Sequence, residues 1–174
     1  MIWTIFVAIL LIILYLVKLA RDLEVNKDNV LRGLASVDAI LIKKNLLLLD
    51  IISYAKEFMD KEKVLIDEIL ALRQDINKVK PKIENAEQRY SMQKKLDKKL
   101  EYLLSAMDKY KDQKNNAGLQ SILKKFAMHE QALDEKLKFY NNAVDSLNNS
   151  INSFPSSIFA QINKVKAPPP KYDR

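Results

Sequence analysis

Cysteine is absent from the 174 residues, which excludes disulfides, thiolate metal sites and cysteine nucleophiles and leaves the redox compartment unreadable. Histidine occurs once, as His129, and no carboxylate stands three or four residues from it. The Glu-x-x-His spacing of di-iron bundles is therefore missing, and no triad pattern supplies a serine with a base. Glycine occurs only as Gly33 and Gly118, which rules out a glycine-rich phosphate loop. So little glycine also cannot turn the strands of a large sheet. Nothing in this inventory supports a reaction, a cofactor, a metal site or a small-molecule substrate, and the chain reads as a non-enzyme.

What is present fits long helices. Hydrophobic residues make up 48% of the chain and charged residues 29%, with five prolines to interrupt it, a composition typical of helical proteins. The formal charge of +7 favours acidic surfaces such as anionic lipid, nucleic acid or an acidic protein. The plainer reading is that lysine solubilises helix faces. Lysine greatly outnumbers arginine, whereas bidentate phosphate or base readout favours arginine. No nucleic-acid recognition motif or aromatic-basic platform occurs.

Ile2 to Val17 carries no charge: IWTIFVAILLIILYLV. With Met1 and Lys18-Leu19-Ala20, where lysine snorkels, it supplies roughly 20 positions, about one hydrocarbon core. Trp3 and Tyr15 stand near its two ends, where amphipathic rings favour the interfaces. A cleaved signal peptide would want a basic segment before the apolar run and a small-x-small site after it. Neither is present, so the segment reads as a permanent anchor over residues 1–20. Lys18, Arg21, Lys27 and Arg32 all follow it, which predicts the N-terminus outside and the remainder cytoplasmic.

Beyond the anchor, apolar residues recur at alternating spacings of four and three. The first seam runs Val30, Leu34, Val37, Leu41, Lys44, Leu48, Ile51, Ala55, Phe58, Glu62, Leu65, Ile69, Leu72, Ile76 and Val79, with only Lys44 and Glu62 polar. Such a coiled-coil-like register marks an amphipathic helix. As one straight helix it would exceed about 70 Å. Either it folds back near Met59-Asp60, with Asp60 as an N-cap, or another subunit covers the excess. Lys80-Pro81 ends the seam, with Pro81 suited to open the next helix. A second seam passes Leu96, Leu100, Leu103, Met107 and Tyr110 and extends less cleanly back to Ile83, Ala86 and Tyr90. It ends in polar Asp112 to Asn116. The third runs from Leu119 through Phe126, Glu130, Leu133, Leu137, Tyr140, Val144 and Leu147 to Ile151 and stops at Ser153-Phe154-Pro155-Ser156. Ala167-Pro168-Pro169-Pro170 implies an extended, solvated tail over residues 164–174.

Phe139-Tyr140-Asn141-Asn142-Ala143-Val144, followed by Asn148, Ile151 and Phe154-Pro155, resembles the C-terminal signature of the LemA family. Glu130 falls where that family tends to carry glutamate. Val37-Asp38, Lys43-Lys44, Lys61-Glu62 and Arg73 resemble its earlier motifs, over a span from the anchor to about Phe159. Leu46 to Leu49 replaces a D-L-I-P break, and Lys111 replaces a proline. The resemblance implies an all-α fold: an N-terminal transmembrane helix carrying an antiparallel up-and-down four-helix bundle over residues 21–163. It favours the fold-back near Asp60, and a single-pass protein of the bacterial inner membrane.

Two groups stand out as candidate sites. Glu62 and Glu130 project from apolar stripes, where an unpaired carboxylate is costly, and Lys44 and Arg73 are their candidate partners in a buried polar network. Such a network either fixes register or binds a partner. Asn141 and Asn148 share one helix flank beside Tyr140, forming either interhelical hydrogen bonds or an interaction stripe. The reading that follows is a membrane-anchored scaffold acting through protein or self-association, with anionic lipid an allowed contact of Lys94, Lys95, Lys98 and Lys99. The alternative is a membrane-tethered binder of anionic lipid or nucleic acid through those basic faces.

Overall fold

The structure is a computed structural model and describes residues 2–165 and 167–172. Among them there is helix and no strand. The first helix, α1 (Ile2–Phe58), has 57 residues and is about 85 Å long at about 1.5 Å per residue. Its most apolar 18-residue stretch has a mean hydropathy of 2.7, and none of that stretch is buried. It is long and apolar enough to cross a membrane. The helix passes from this stretch into the packed region without a break, and its first buried side chain is Leu23. Leu46 to Leu49 continue it, with no interruption where the family break would fall.

The long first seam does fold back. α1 ends at Phe58, a single 3-10 turn follows (Asp60–Glu62), and α2 (Lys63–Lys78) returns alongside. Asp60 is not the N-cap expected of it. Met59 and Glu62 hold the cap positions, and neither makes a side-chain cap. Burial drives the reversal instead: Ile66, Ile69 and Ile76 reach the cluster of Leu48, Ile51, Ile52, Ala55 and Met59 only if the chain turns. Pro81 also differs from expectation. It stays in the loop before a 3-10 turn (Ile83–Asn85) and α3 (Ala86–Met107), held there by Asn85 Nδ2 donating to the Lys80 carbonyl at 3.1 Å. A short turn of helix, α4 (Lys111–Lys114), leads to α5 (Ala117–Asn152) and then α6 (Ser156–Ile162). Asn116 caps α5, accepting from the Gly118 and Leu119 amides at 2.8 and 3.3 Å, as capping chemistry favours.

Side-chain pairs fix the directions. Asn26 donates to Ser150 at 2.7 Å, Gly33 lies against Tyr140, Lys44 pairs with Glu130, and Tyr54 reaches Gly118. Rising numbers on α1 meet falling numbers on α5, so the two run antiparallel along their shared length. A Cβ at Gly33 would stand 3.0 Å from Tyr140 Cα, so glycine is what lets the two backbones approach here. Lys99–Glu68 at 2.6 Å and Tyr110–Glu62 at 3.2 Å make α2 and α3 antiparallel. Two apolar clusters fill the interior, one around Leu23 to Leu41, the other around Leu48 to Met59.

The tail has no regular secondary structure and, contrary to the composition-based expectation, is only partly solvated. Ala167, Pro170 and Lys171 are exposed, whereas Pro169 and Tyr172 are buried, and residues 166, 173 and 174 of the expected tail lie outside the described residues. After α6 the chain returns over α5, and Tyr172 is only 5% exposed.

Candidate functional site

The first apolar cluster meets the second across a row of buried polar groups. On α3, Arg89, Gln93 and Asp97 recur every four residues, which puts them on one helix face. On α1, Asp38 and Lys44 oppose them. Arg89 Nη2 bonds Asp38 Oδ1 at 3.1 Å. Its Nη1 donates to the Ile76 carbonyl at 3.2 Å and to the Val79 carbonyl, so one guanidinium also closes the C-terminus of α2. Burial pushes the Asp38 carboxyl above its ordinary range, with Arg89 opposing that shift. One turn further, Gln93 Nε2 donates to Asp97 Oδ1 at 2.9 Å. The same oxygen accepts from Lys44 Nζ at 3.2 Å.

Lys44 is the centre of this row. Its side chain is 1% exposed and also pairs with Glu130, and its ammonium lies 5.3 Å from the centroid of the Phe126 ring, a cation–π arrangement. Two carboxylates on different helices thus converge on one buried cation. Asp97 and Glu130 also line a groove of about 760 Å³ between α3 and α5, with Leu100, Leu104, Leu123 and Phe126 as its apolar wall.

Tyr172 of the tail also lines that groove, and the tail is held largely through its backbone. Asn141 Oδ1 accepts from the Tyr172 amide at 3.0 Å, and Asn141 Nδ2 donates to the Tyr172 carbonyl at 3.2 Å. Tyr140 donates its hydroxyl to the Pro170 carbonyl at 3.1 Å, and Lys171 pairs with Asp145 at 2.7 Å. The Tyr172 ring packs edge-on to Tyr90 at 4.3 Å, and Tyr90 edge-on to Tyr140 at 5.9 Å. Burial raises all three phenols, Tyr140 to about 12, and nearby Asp97 adds to the rise at Tyr172.

Of the four residues expected in one network, Lys44 and Glu130 meet directly. Glu62 and Arg73 do not join them. Glu62 accepts from Tyr110 at the fold-back, and Arg73 Nε donates to the Asn45 carbonyl at 3.0 Å, tying α2 to α1. Tyr140 and Asn141 grip the chain's own tail, while Asn148 lies a further two turns along α5, half-buried. Sequence reasoning missed Arg89, Gln93 and Asp97. Their signal was the unclean stretch of the second seam, where Gln93 falls in an apolar register and three polar residues repeat at helical spacing.

The model of the LemA family matches residues 33–171. The chain belongs to the LemA family. No curated protein is similar enough to the chain to match it. The family match takes in both Asp38–Arg89 and the row centred on Lys44. It also runs past Phe159, where the sequence resemblance ended, and includes the docked tail to Lys171. The apolar first part of α1 precedes it.

Proposed function

We propose that this LemA-family chain is a single-pass, non-enzymatic interaction protein of the bacterial inner membrane. Its N-terminus lies outside, and its helices form an antiparallel up-and-down four-helix bundle in the cytoplasm that binds a protein partner or a second copy. The observation that carries the reading is α1 itself: an exposed apolar stretch of membrane-crossing length continues unbroken into a helix whose other end is core. The basic residues following the apolar stretch support the orientation. The ladder of α1–α5 pairs and the α2–α3 pairs support the bundle, and the open groove between α3 and α5 supplies a surface for helix-mediated association.

Crosslinking in native membranes, followed by sizing in mild detergent, tests it. The expected result is a chain that resists alkaline extraction and forms a species larger than the monomer, with crosslinks mapping to α3 and α5. A freely soluble product beginning beyond Ala20, or a strict monomer without crosslinks, overturns it.

A further inference from the structure

The α1–α5 ladder also fixes where the far end of α5 stands relative to the bilayer. Its last pair is Asn26–Ser150, at 2.7 Å. α5 ends two residues on, at Asn152, with Ser153 extended. At about 1.5 Å per residue, Asn152 therefore stands level with about Glu24, four residues past Ala20, where the apolar span ends. Phe154 follows directly, and Ala160 of α6 shares a core cluster with Leu23. At this level the protein exposes a cluster of large apolar side chains: Phe154 is 82% exposed, Ile162 71% and Ile158 48%. Ile158 and Ile162 are four apart on α6 and share a face, while Ala160, on the opposite side, is buried in the core. A small amphipathic element thus keeps its inner face in the bundle and turns its apolar face outward. Lys18, Arg21 and Lys27 at the end of the span on α1 and Lys164 just past α6 are exposed, as are Asp22 and Glu24.

Resting on the anchored reading above, we infer that the α5–α6 turn and α6 are a second lipid contact, with Phe154, Ile158 and Ile162 inserted into the headgroup–acyl boundary of the leaflet that α1 leaves. The occupant of this apolar face is the bilayer because the face is continuous with the end of the span, and because cations flank it where anionic headgroups would lie. Exposed apolar residues of this size in water would otherwise form an aggregation-prone patch. Two attachments, one spanning and one interfacial, fix the bundle's tilt and seat it against the membrane.

The test uses the full chain in vesicles of phosphatidylethanolamine and phosphatidylglycerol, with a brominated phosphatidylcholine as quencher. Trp3 is the chain's single tryptophan, so wild type reports the anchor. Phe154→Trp and, separately, Ile162→Trp, each on a Trp3→Phe background, report the turn and α6. Met128→Trp, on an exposed position of α5 far from the span, reports the aqueous face. The expected result is blue-shifted, lipid-quenched emission from both α6-region reporters, with a several-fold lower iodide quenching constant than Met128→Trp. Lipid quenching of Trp3 but not of the Phe154→Trp and Ile162→Trp proteins overturns this inference and leaves the anchor standing. No lipid quenching at any position overturns both. Reporters shielded from iodide yet unquenched by lipid assign the face to a protein, which also overturns the inference.

Discussion

At the scale of single residues, the buried cation decides the energetics of the interior. Lys44 is almost wholly enclosed, whereas Asp97 and Glu130 are 24% and 27% exposed and can turn toward the groove. Removing the acids takes both carboxylates away from a buried charge, and removing the lysine leaves no buried charge behind. The double change Asp97→Asn with Glu130→Gln is therefore expected to cost about 3–5 kcal/mol, and Lys44→Met about 1 kcal/mol or less. Urea unfolding followed by circular dichroism measures both, and equal losses would contradict the assignment of cost to the lysine. Two of these three residues were legible beforehand, because a polar residue in an apolar 4–3 register announces itself. Lys44 and Glu130 did so. Asp97 did not, because it is one step off the seam and only its packing against Lys44 gives it a role. Glu62 carried the same signal as Glu130, but the reversal at Met59 carries it to the end of the bundle, where a tyrosine hydroxyl satisfies it.

At the scale of elements, the returning tail shows what composition omits. Three prolines imply a segment outside helix and sheet, since they lack amide donors and fix φ. They say nothing about what receives it. The receptor is the Asn141 side chain reading backbone atoms, and a backbone contact leaves no mark on the sequence of the segment bound. The tail brings Tyr172 against Tyr90, and burial holds both phenols, with Tyr140, above their ordinary value of 10.0. A raised phenol binds its proton more tightly in the folded state, so its stabilising effect is complete below pH 10 and is lost as pH rises through the raised values. Stability should therefore fall with increasing pH above about 10. The Tyr172 hydroxyl is buried without a hydrogen-bond partner, so Tyr172→Phe is expected to match wild type near neutral pH and lose less at alkaline pH. Paired thermal melts across that range check it. Lysine deprotonation affects both proteins alike, so identical alkaline slopes would remove the phenol from the account.

At the scale of the whole molecule, the exposed apolar stretch and the packed helices share a helix but not a core. The first buried side chain is Leu23, with only Leu16 and Leu19 half-buried before it, so little before it holds the packed part together. A chain starting at Arg21 is expected to keep the thermal midpoint of the full-length protein in detergent to within about 2 °C, no more than about 1 kcal/mol is worth in a domain of 150–250 residues. Calorimetry of the two proteins decides it, and a large drop would place part of the anchor in the fold. The helical class, the three seams and the final stop at Ser153 were all legible, since each follows from periodicity. The reversal at Met59 was legible only as one of two alternatives, favoured by the family resemblance, because no proline or glycine marks it and only the shared burial of two halves of one seam demands it.

The absence of any joint in α1 has a mechanical consequence. A linker with glycine or proline would let the packed part swivel freely on the end of the apolar stretch. Here the exposed apolar stretch and the segment under the packed helices form one shaft, clasped tightly at Gly33. If that stretch spans a bilayer as proposed, a neighbour that rolls or tilts the shaft there must turn the entire packed body with it. Torque applied among lipids would then be delivered to the face that α3 and α5 present some tens of ångströms away.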